Sequence, residues 1–287
     1  MRKTMIQYIG RQAKRFVVLL PGIIIVYFSV RNVFPVIDSH LPDSVSIFIT
    51  YVLVAYIFIP AAIRLVRILF PPKHLPLYCV TPDGFASDPL NIGIIGTRRQ
   101  LISAMEKAGW HMADPHSPRN VARLVASTAL HRIYKNAPVS SLYLFGRKQD
   151  VAFEIPIPGI GSRHHVRFWA TTYHNKGRLS IQGIHWQHRR AHIQGDNLLW
   201  VGAASLDVGL NVIRHNLQVT HMIHPDTDQE RELILKQLRK ESLVAKVQTL
   251  ILGDPYQLIN RVWRGYLQTD GKMAVISLKN SQANFKR

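Results

Sequence analysis

Two apolar runs without a charged residue lie near the start of the chain, Phe16 to Val30 (FVVLLPGIIIVYFSV) and Ser44 to Ile63 (SVSIFITYVLVAYIFIPAAI). The second has the roughly 20 residues that a helix rising 1.5 Å per residue needs to cross about 30 Å of hydrocarbon. The first is shorter and contains Pro21-Gly22. It reaches spanning length when continued through Arg31, whose long side chain can snorkel to the interface, as far as Phe34. Ser29-Val30-Arg31-Asn32 is a poor small-x-small site, which disfavours a cleavable signal. The pattern therefore predicts a membrane hairpin of two helices within residues 1–72, with a signal anchor plus one span as the alternative.

Beyond Pro71-Pro72 the apolar positions break into shorter segments. Leu90 to Ile95 predicts a buried strand. Thr97 and Gln100 then have capping-box spacing at the start of a helix closed by Gly109. Ser117-Pro118 predicts a second helix to about His131. Leu142–Phe145, Val151–Ile155, His164–Thr172 and Leu198–Ser205 predict strands, and Gly265–Leu278 a hairpin turning at Thr269-Asp270-Gly271. Thr227 and Glu230 stand in S/T-x-x-E spacing ahead of a stripe of Leu233, Ile234 and Leu238, which predicts a capped helix. Strands and helices mixed without regular alternation imply an α+β domain over residues 73–287.

Charge sets the expected topology. Arg2, Lys3, Arg11, Lys14 and Arg15 precede the apolar runs and Arg64, Arg67 and Lys73 follow them, whereas the connecting segment holds Asp38 and Asp43. The positive-inside bias then predicts a bacterial inner-membrane protein with both termini cytoplasmic. The whole chain has 36 Lys and Arg against 17 Asp and Glu, a formal +19. Such an excess suits anionic lipid, a phosphorylated substrate, an acidic membrane-protein partner or nucleic acid. The anchor favours the membrane. Nucleic acid is disfavoured, because no aromatic RNA-binding signature, zinc finger or basic heptad helix is present. The single Cys79 excludes an internal disulfide and a multi-cysteine metal site, and in LPLYCV it reads as a small buried hydrophobe. Gly93-Ile-Ile-Gly96-Thr97-Arg98-Arg99 reads as a turn and helix cap, since it lacks the lysine and spacing of a phosphate-binding loop.

Nine of the fourteen histidines fall between His164 and His224. On a strand, His165, Arg167 and Trp169 share one face, while His164, Val166 and Phe168 share the other. The first face could combine an imidazole acid, base or ligand with a guanidinium for phosphate. With Asp207 and His221 it makes a candidate catalytic set of His165, Arg167, Asp207 and His221. The candidate metal ligands are His165, His221 and Asp226, for a divalent ion. Arg147, Arg167, Trp169, Arg189 and Arg190 are candidate substrate or head-group contacts, the last two beside Trp186 in a basic loop suited to a membrane interface. Buried hydrogen-bond networks and a noncatalytic anion site stay open beside these readings, and so does the choice between enzyme and binding module.

Ordered motifs from about residue 85 to 245 carry a resemblance. They are Asp88-Pro89-Leu90-Asn91-Ile92-Gly93, Ala108-Gly109-Trp110, Ala137-Pro138-Val139-Ser140, Leu142 to Arg147, Gln149 to Glu154 and His164 to Trp169. Trp200 to Ala204 with Asp207, Thr220-His221, Pro225-Asp226 and Glu230-Arg231 complete the series. Together the series resembles the C-terminal domain of the LssY family. The resemblance implies a bacterial membrane context, either as an accessory of type I secretion or in the handling of lipid phosphates. Similar domains follow DedA-like and type-2 phosphatidic-acid-phosphatase domains, and here a two-helix anchor stands in their place. The resemblance itself assigns no reaction.

Overall fold

The computed structural model describes residues 20, 22–69, 75–82, 84, 86–130, 134–157, 162–171, 198–212, 219–260 and 265–279. The chain divides into two compact units, Met1–Pro71 with Thr81–Phe85, and Pro72–Val80 with Ala86–Arg287.

The first unit is helical. Helix α1 covers residues 22–38 and α2 residues 43–69, joined by a turn at 39–42. Each contains one π-helical turn, Ser29–Val33 and Val54–Phe58, placed just ahead of Pro35 and Pro60 respectively. Proline cannot donate to the carbonyl four residues back, so the ladder loosens where these turns lie. Large apolar side chains such as Ile24, Phe28, Ile47 and Phe48 are exposed, while Ser29, Ser46 and Thr50 are buried. Among the described residues, one helical stretch, Asp43–Ile63, is long and apolar enough to cross a membrane. The first apolar run begins outside the described residues.

The second unit confirms a mixed α+β domain. Its helices are α3 (Arg98–Lys107), α4 (Pro118–Ala129) and α5 (Asp228–Lys240). Its early strands are β1 (Tyr78–Val80), β2 (Ala86–Pro89), β3 (Ile92–Gly96), β4 (His111–Met112), β5 (Tyr143–Leu144) and β6 (Arg147–Lys148). Then come β7 (Val151–Pro156), β8 (Ser162–Thr171), β9 (Leu198–Val212) and β10 (Val219–Ile223). The last are β11 (Val244–Ile251), β12 (Tyr256–Asn260), β13 (Gly265–Thr269) and β14 (Lys272–Leu278). The main sheet runs β11-β14-β3-β9-β8-β7-β4, with β10 also on β9.

β9 is longer than its apolar stretch predicts because two strands share one of its edges. β3 pairs with its first part, up to Ile92 opposite Gly202, and β10 with its last part, from Ile223 opposite Asp207. Asn91 fills the interval between them. Its amide donates to the carbonyls of Ala204 and Thr227, and its side-chain oxygen accepts from Ala204 N. The sheet packs closely at Gly202, where a Cβ would lie 2.6 Å from Phe168 and 2.7 Å from Ile92.

Each face of the main sheet is covered. Leu101 and Met105 of α3 and Ile234 and Leu238 of α5 pack with Val166, Phe168 and Trp200. On the other side Cys79, Leu90 and Leu144 pack with Trp169, Leu199 and Val201. These covering residues belong to or adjoin a small sheet ordered β2-β1-β5-β6. The alternation predicted for β8 therefore resolves into two interiors, one under helices and one under strands.

Two local expectations change. Thr97 and Gln100 do form the reciprocal capping box on α3. Thr227, by contrast, gives no side-chain cap to α5. Asp226 Oδ1 accepts Asp228 N at 3.1 Å instead, Thr227 Oγ1 donates to the Gln268 carbonyl, and Glu230 turns to His164. The hairpin expected over Gly265–Leu278 is also corrected. β13 pairs with β12, whereas β14 pairs with β11 and β3. The turn between them is held from outside, because Asp228 accepts Asp270 N and Thr269 Oγ1 while Arg231 binds both Asp270 oxygens.

Candidate functional site

The charged half of the face beneath the small sheet begins with the spacing of β8. Arg163, His165 and Arg167 lie two residues apart and so project together. Register places Glu154 of β7 opposite His165 on one side and Ser205 of β9 opposite it on the other, with Asp207 opposite Arg163. Asp88, at the end of β2, comes in above them. The result is a chain of alternating sign. Arg167 Nη1 donates to Asp88 Oδ2 at 2.6 Å, and His165 Nε2 lies 3.3 Å from the same oxygen. His165 Nδ1 is 3.3 Å from Asp207 Oδ2, which accepts from Arg163 Nε at 3.2 Å. Arg163 Nη1 then donates to Glu154 Oε2 at 2.8 Å.

All six charged groups are buried, and Ser205, whose Oγ lies 3.1 Å from His165 Nε2, is buried with them. Three carboxylates face two guanidiniums and one imidazole, so the cluster is neutral when His165 is protonated and all three carboxylates are ionised. Its electrostatics favour that state. Burial, the largest single influence, pushes the His165 pKa down, but the attraction and hydrogen bonding of Asp207 and Asp88 together turn the net shift upward. Burial alone would raise Asp88, yet Arg167 and His165 hold it below its usual value. Glu154 is different: burial raises its pKa to about 7 against the attraction of Arg163, and its Oε1 has no hydrogen-bond partner among the described residues. Removing one member of such a set leaves an opposite charge buried, at a cost of about 3–5 kcal/mol.

Against this geometry, the model of the family described as LssY C-terminus matches residues 72–273. The chain belongs to the LssY C-terminus family. Neither the curated proteins nor the solved structures contain a match. The alternating charge cluster lies wholly inside the matched LssY region.

Within the LssY region, three residues expected at one site do meet: His165, Arg167 and Asp207. Trp169 is sealed into the adjoining apolar cluster, with its ring N–H donating to the Arg147 carbonyl. Arg147 is engaged at the turn, pairing with Asp150 at 2.9 Å and donating to the Ala170 carbonyl. Asp226 is at the entrance to α5. His221 sits opposite Leu210 on β9, five residues beyond Ser205, which is about 17 Å of strand. Arg189 and Arg190 lie outside the described residues. Among the described residues, no group of three or more His, Cys, Asp or Glu side chains is placed to hold a metal ion.

Sequence reasoning missed Asp88, Glu154, Arg163 and Ser205 as partners. Arg163 carried a signal, since it continues the i, i+2, i+4 row of His165 and Arg167. The second histidine of the pair has its own acid. His164 Nδ1 lies 2.9 Å from both oxygens of Glu230 on the helix-covered face. Its side chain keeps 23% of its surface exposed, against 1% for His165.

Proposed function

We propose that the chain is a membrane-anchored binding module whose LssY domain engages an anionic membrane surface or the acidic face of a membrane partner, in envelope lipid-phosphate handling or type I secretion. The observation that carries this reading is the unequal use of charge in the fold. Among the described residues of the domain, ion pairs engage eight acids, Asp88, Asp150, Glu154, Asp207, Asp228, Glu230, Glu232 and Asp270, but only five Lys or Arg. Interior and turn pairing thus withdraws negative charge from the surface of an already basic domain. Exposed Arg98, Arg99, Lys107, Lys236, Arg239 and Lys240 remain outward, and each basic residue near an anionic surface contributes about 1 kcal/mol.

The anchor in this reading is a two-helix hairpin, with both termini cytoplasmic. Its support is the inside-out character of the first unit, small hydroxyl residues buried and large apolar ones exposed, which suits helices packing in lipid. A membrane-tethered hydrolase acting on a phosphorylated substrate is the second reading, drawn from the meeting of His165, Asp207 and Arg167. The burial of all three ranks it below the binding module.

Flotation with vesicles tests the proposal. The chain without residues 1–70 should bind phosphatidylglycerol vesicles but not neutral phosphatidylcholine vesicles, and raised salt should weaken the binding. Replacing Lys236, Arg239 and Lys240 with Ala should reduce it several-fold, as should Arg189→Ala with Arg190→Ala. Equal partition to both vesicle types, or none at low salt, would sink the lipid reading.

A further inference from the structure

Helix α4 differs from the other two helices of the LssY domain in what it turns outward. α3 buries Leu101 and Met105 and α5 buries Ile234 and Leu238, whereas among the described side chains of α4 none is buried. Its half-buried side is Asn120, Leu124 and Ser127, which recur at the i, i+4, i+7 spacing of one helical face. Its outward side carries Val121, Ala122 and Ala126, bounded by the exposed Arg119 and Arg123. Val121 keeps 43% of its surface exposed, and Leu130, directly after the helix, 60%. A helix covering a water-facing domain has the reverse order, with its apolar stripe inward and its polar side outward.

Polar contacts hold the helix in place without covering that side. Asn120 Nδ2 donates to the Pro115 carbonyl at 2.9 Å, and Asn120 N donates to Ser117 Oγ at 3.2 Å. Farther along, the Arg123 guanidinium lies 4.3 Å from the centre of the Tyr134 ring, whose hydroxyl donates to Asp114 Oδ2 at 2.5 Å. Charge indicates what covers the apolar arc. No Asp or Glu occurs between Asp114 and Asp150, whereas Arg119, Arg123, Arg132 and Lys135 do. Arg119 stands in the first turn of α4, which holds no acid, and there the helix dipole disfavours a cation. An anionic surface outside the molecule offsets that cost.

We infer that α4 lies flat in the headgroup boundary of an anionic bilayer, with Val121, Ala122 and Ala126 toward the acyl chains and Arg119 and Arg123 beside lipid phosphates. Interfacial helices combine an apolar arc with flanking cations in this way, and long arginine side chains reach back to the charged layer. The same chain contains Asp43–Ile63, long and apolar enough to cross a membrane. Such a tether matters, because an arc of Val and Ala is small for binding alone, and a linked second contact acts at high effective concentration. The inference rests on the membrane-surface reading and names the element that makes the apolar part of the contact.

The test uses the full chain in vesicles, with a nitroxide attached at Ala122→Cys or Ala126→Cys. Cys79 is buried, and the unsubstituted chain serves as the labelling control. In phosphatidylglycerol vesicles both labels should be reached by oxygen several-fold more than by a water-soluble nickel complex. A label at Gln229→Cys, among the acids at the entrance to α5, should show the aqueous ratio. Neutral phosphatidylcholine should lower the ratio at positions 122 and 126 several-fold, as should Arg119→Glu. Glutamate in the first turn favours the helix dipole, so that loss would not come from melting of α4. Shielding of both labels from oxygen and nickel alike would mark a protein partner and overturn the inference. Aqueous ratios at both positions would also overturn it. If the domain still floats with phosphatidylglycerol vesicles, the membrane-surface reading then stands without α4; if it does not, both fall.

Discussion

His164 and His165 are adjacent in sequence and chemically distant in the fold. One meets Glu230 at a half-open edge, and the other is sealed between Asp88 and Asp207. Their opposite directions were legible from strand alternation alone. Their partners were not, because Asp88 and Glu230 come from elements 77 and 66 residues away. Glu154 gives the residue scale its sharpest test. Its pKa rises from an unfolded value near 4.5 to about 7 in the fold, so the folded state holds an extra proton between those limits and stability falls as pH rises through that window. The size is on the order of 3–4 kcal/mol, since each pKa unit corresponds to about 1.4 kcal/mol. His165 acts in the same direction: its raised pKa gives stability that is complete below about 6.5 and lost as pH rises through the folded value. Urea unfolding of the full chain from pH 4.5 to 8 should show this decline, and Glu154→Gln should remove the part below pH 7. An unchanged slope in that variant would place the titrating group elsewhere.

At the scale of elements, boundaries were more legible than pairings. Apolar spacing located α3, α4, β7 and β8 closely, because each buries one stripe or face of its own. It misjudged β13 and β14, which look like a hairpin because a turn of Thr, Asp and Gly joins them; the geometry that separates them comes from Asp228 and Arg231 on α5. Asn91 could not have been foreseen as the filler between β3 and β10, since its role depends on a strand more than a hundred residues later. The entrance to α5 shows the same limit. S/T-x-x-E spacing is present at Thr227 and Glu230, yet Asp226 does the capping because Glu230 is drawn to His164. Asp226→Ala should therefore destabilise the chain by about 1 kcal/mol, and Asp226→Asn, which keeps an acceptor, by much less. Denaturant midpoints measured by tryptophan fluorescence would decide this. A larger loss from Glu230→Gln at the helix start, seen as faster amide exchange of Asp228 and Gln229, would restore the capping-box assignment.

For the whole molecule, two kinds of interior are encoded in one chain. Between residues 22 and 63 Ser29, Ser46 and Thr50 are buried while large apolar side chains are exposed, whereas the LssY domain buries apolar side chains and neutralises its internal charges in pairs. The first pattern suits hydrocarbon and the second water, so a membrane boundary is expected between them in sequence, near Pro71-Pro72. Charge predicts a direction of crossing. Basic residues flank the apolar runs on their outer ends, and the two acids of the anchor, Asp38 and Asp43, lie at the connection. With two crossings, residue 40 should face the periplasm and residue 287 the cytoplasm. Alkaline phosphatase fused at residue 40 should be active and at the C-terminus inactive, with a cytoplasmically folding fluorescent reporter giving the reverse pattern. A periplasmic C-terminus would mean a single crossing, leaving Asp43–Ile63 as the one span and removing the cytoplasmic leaflet as the surface that the basic domain meets.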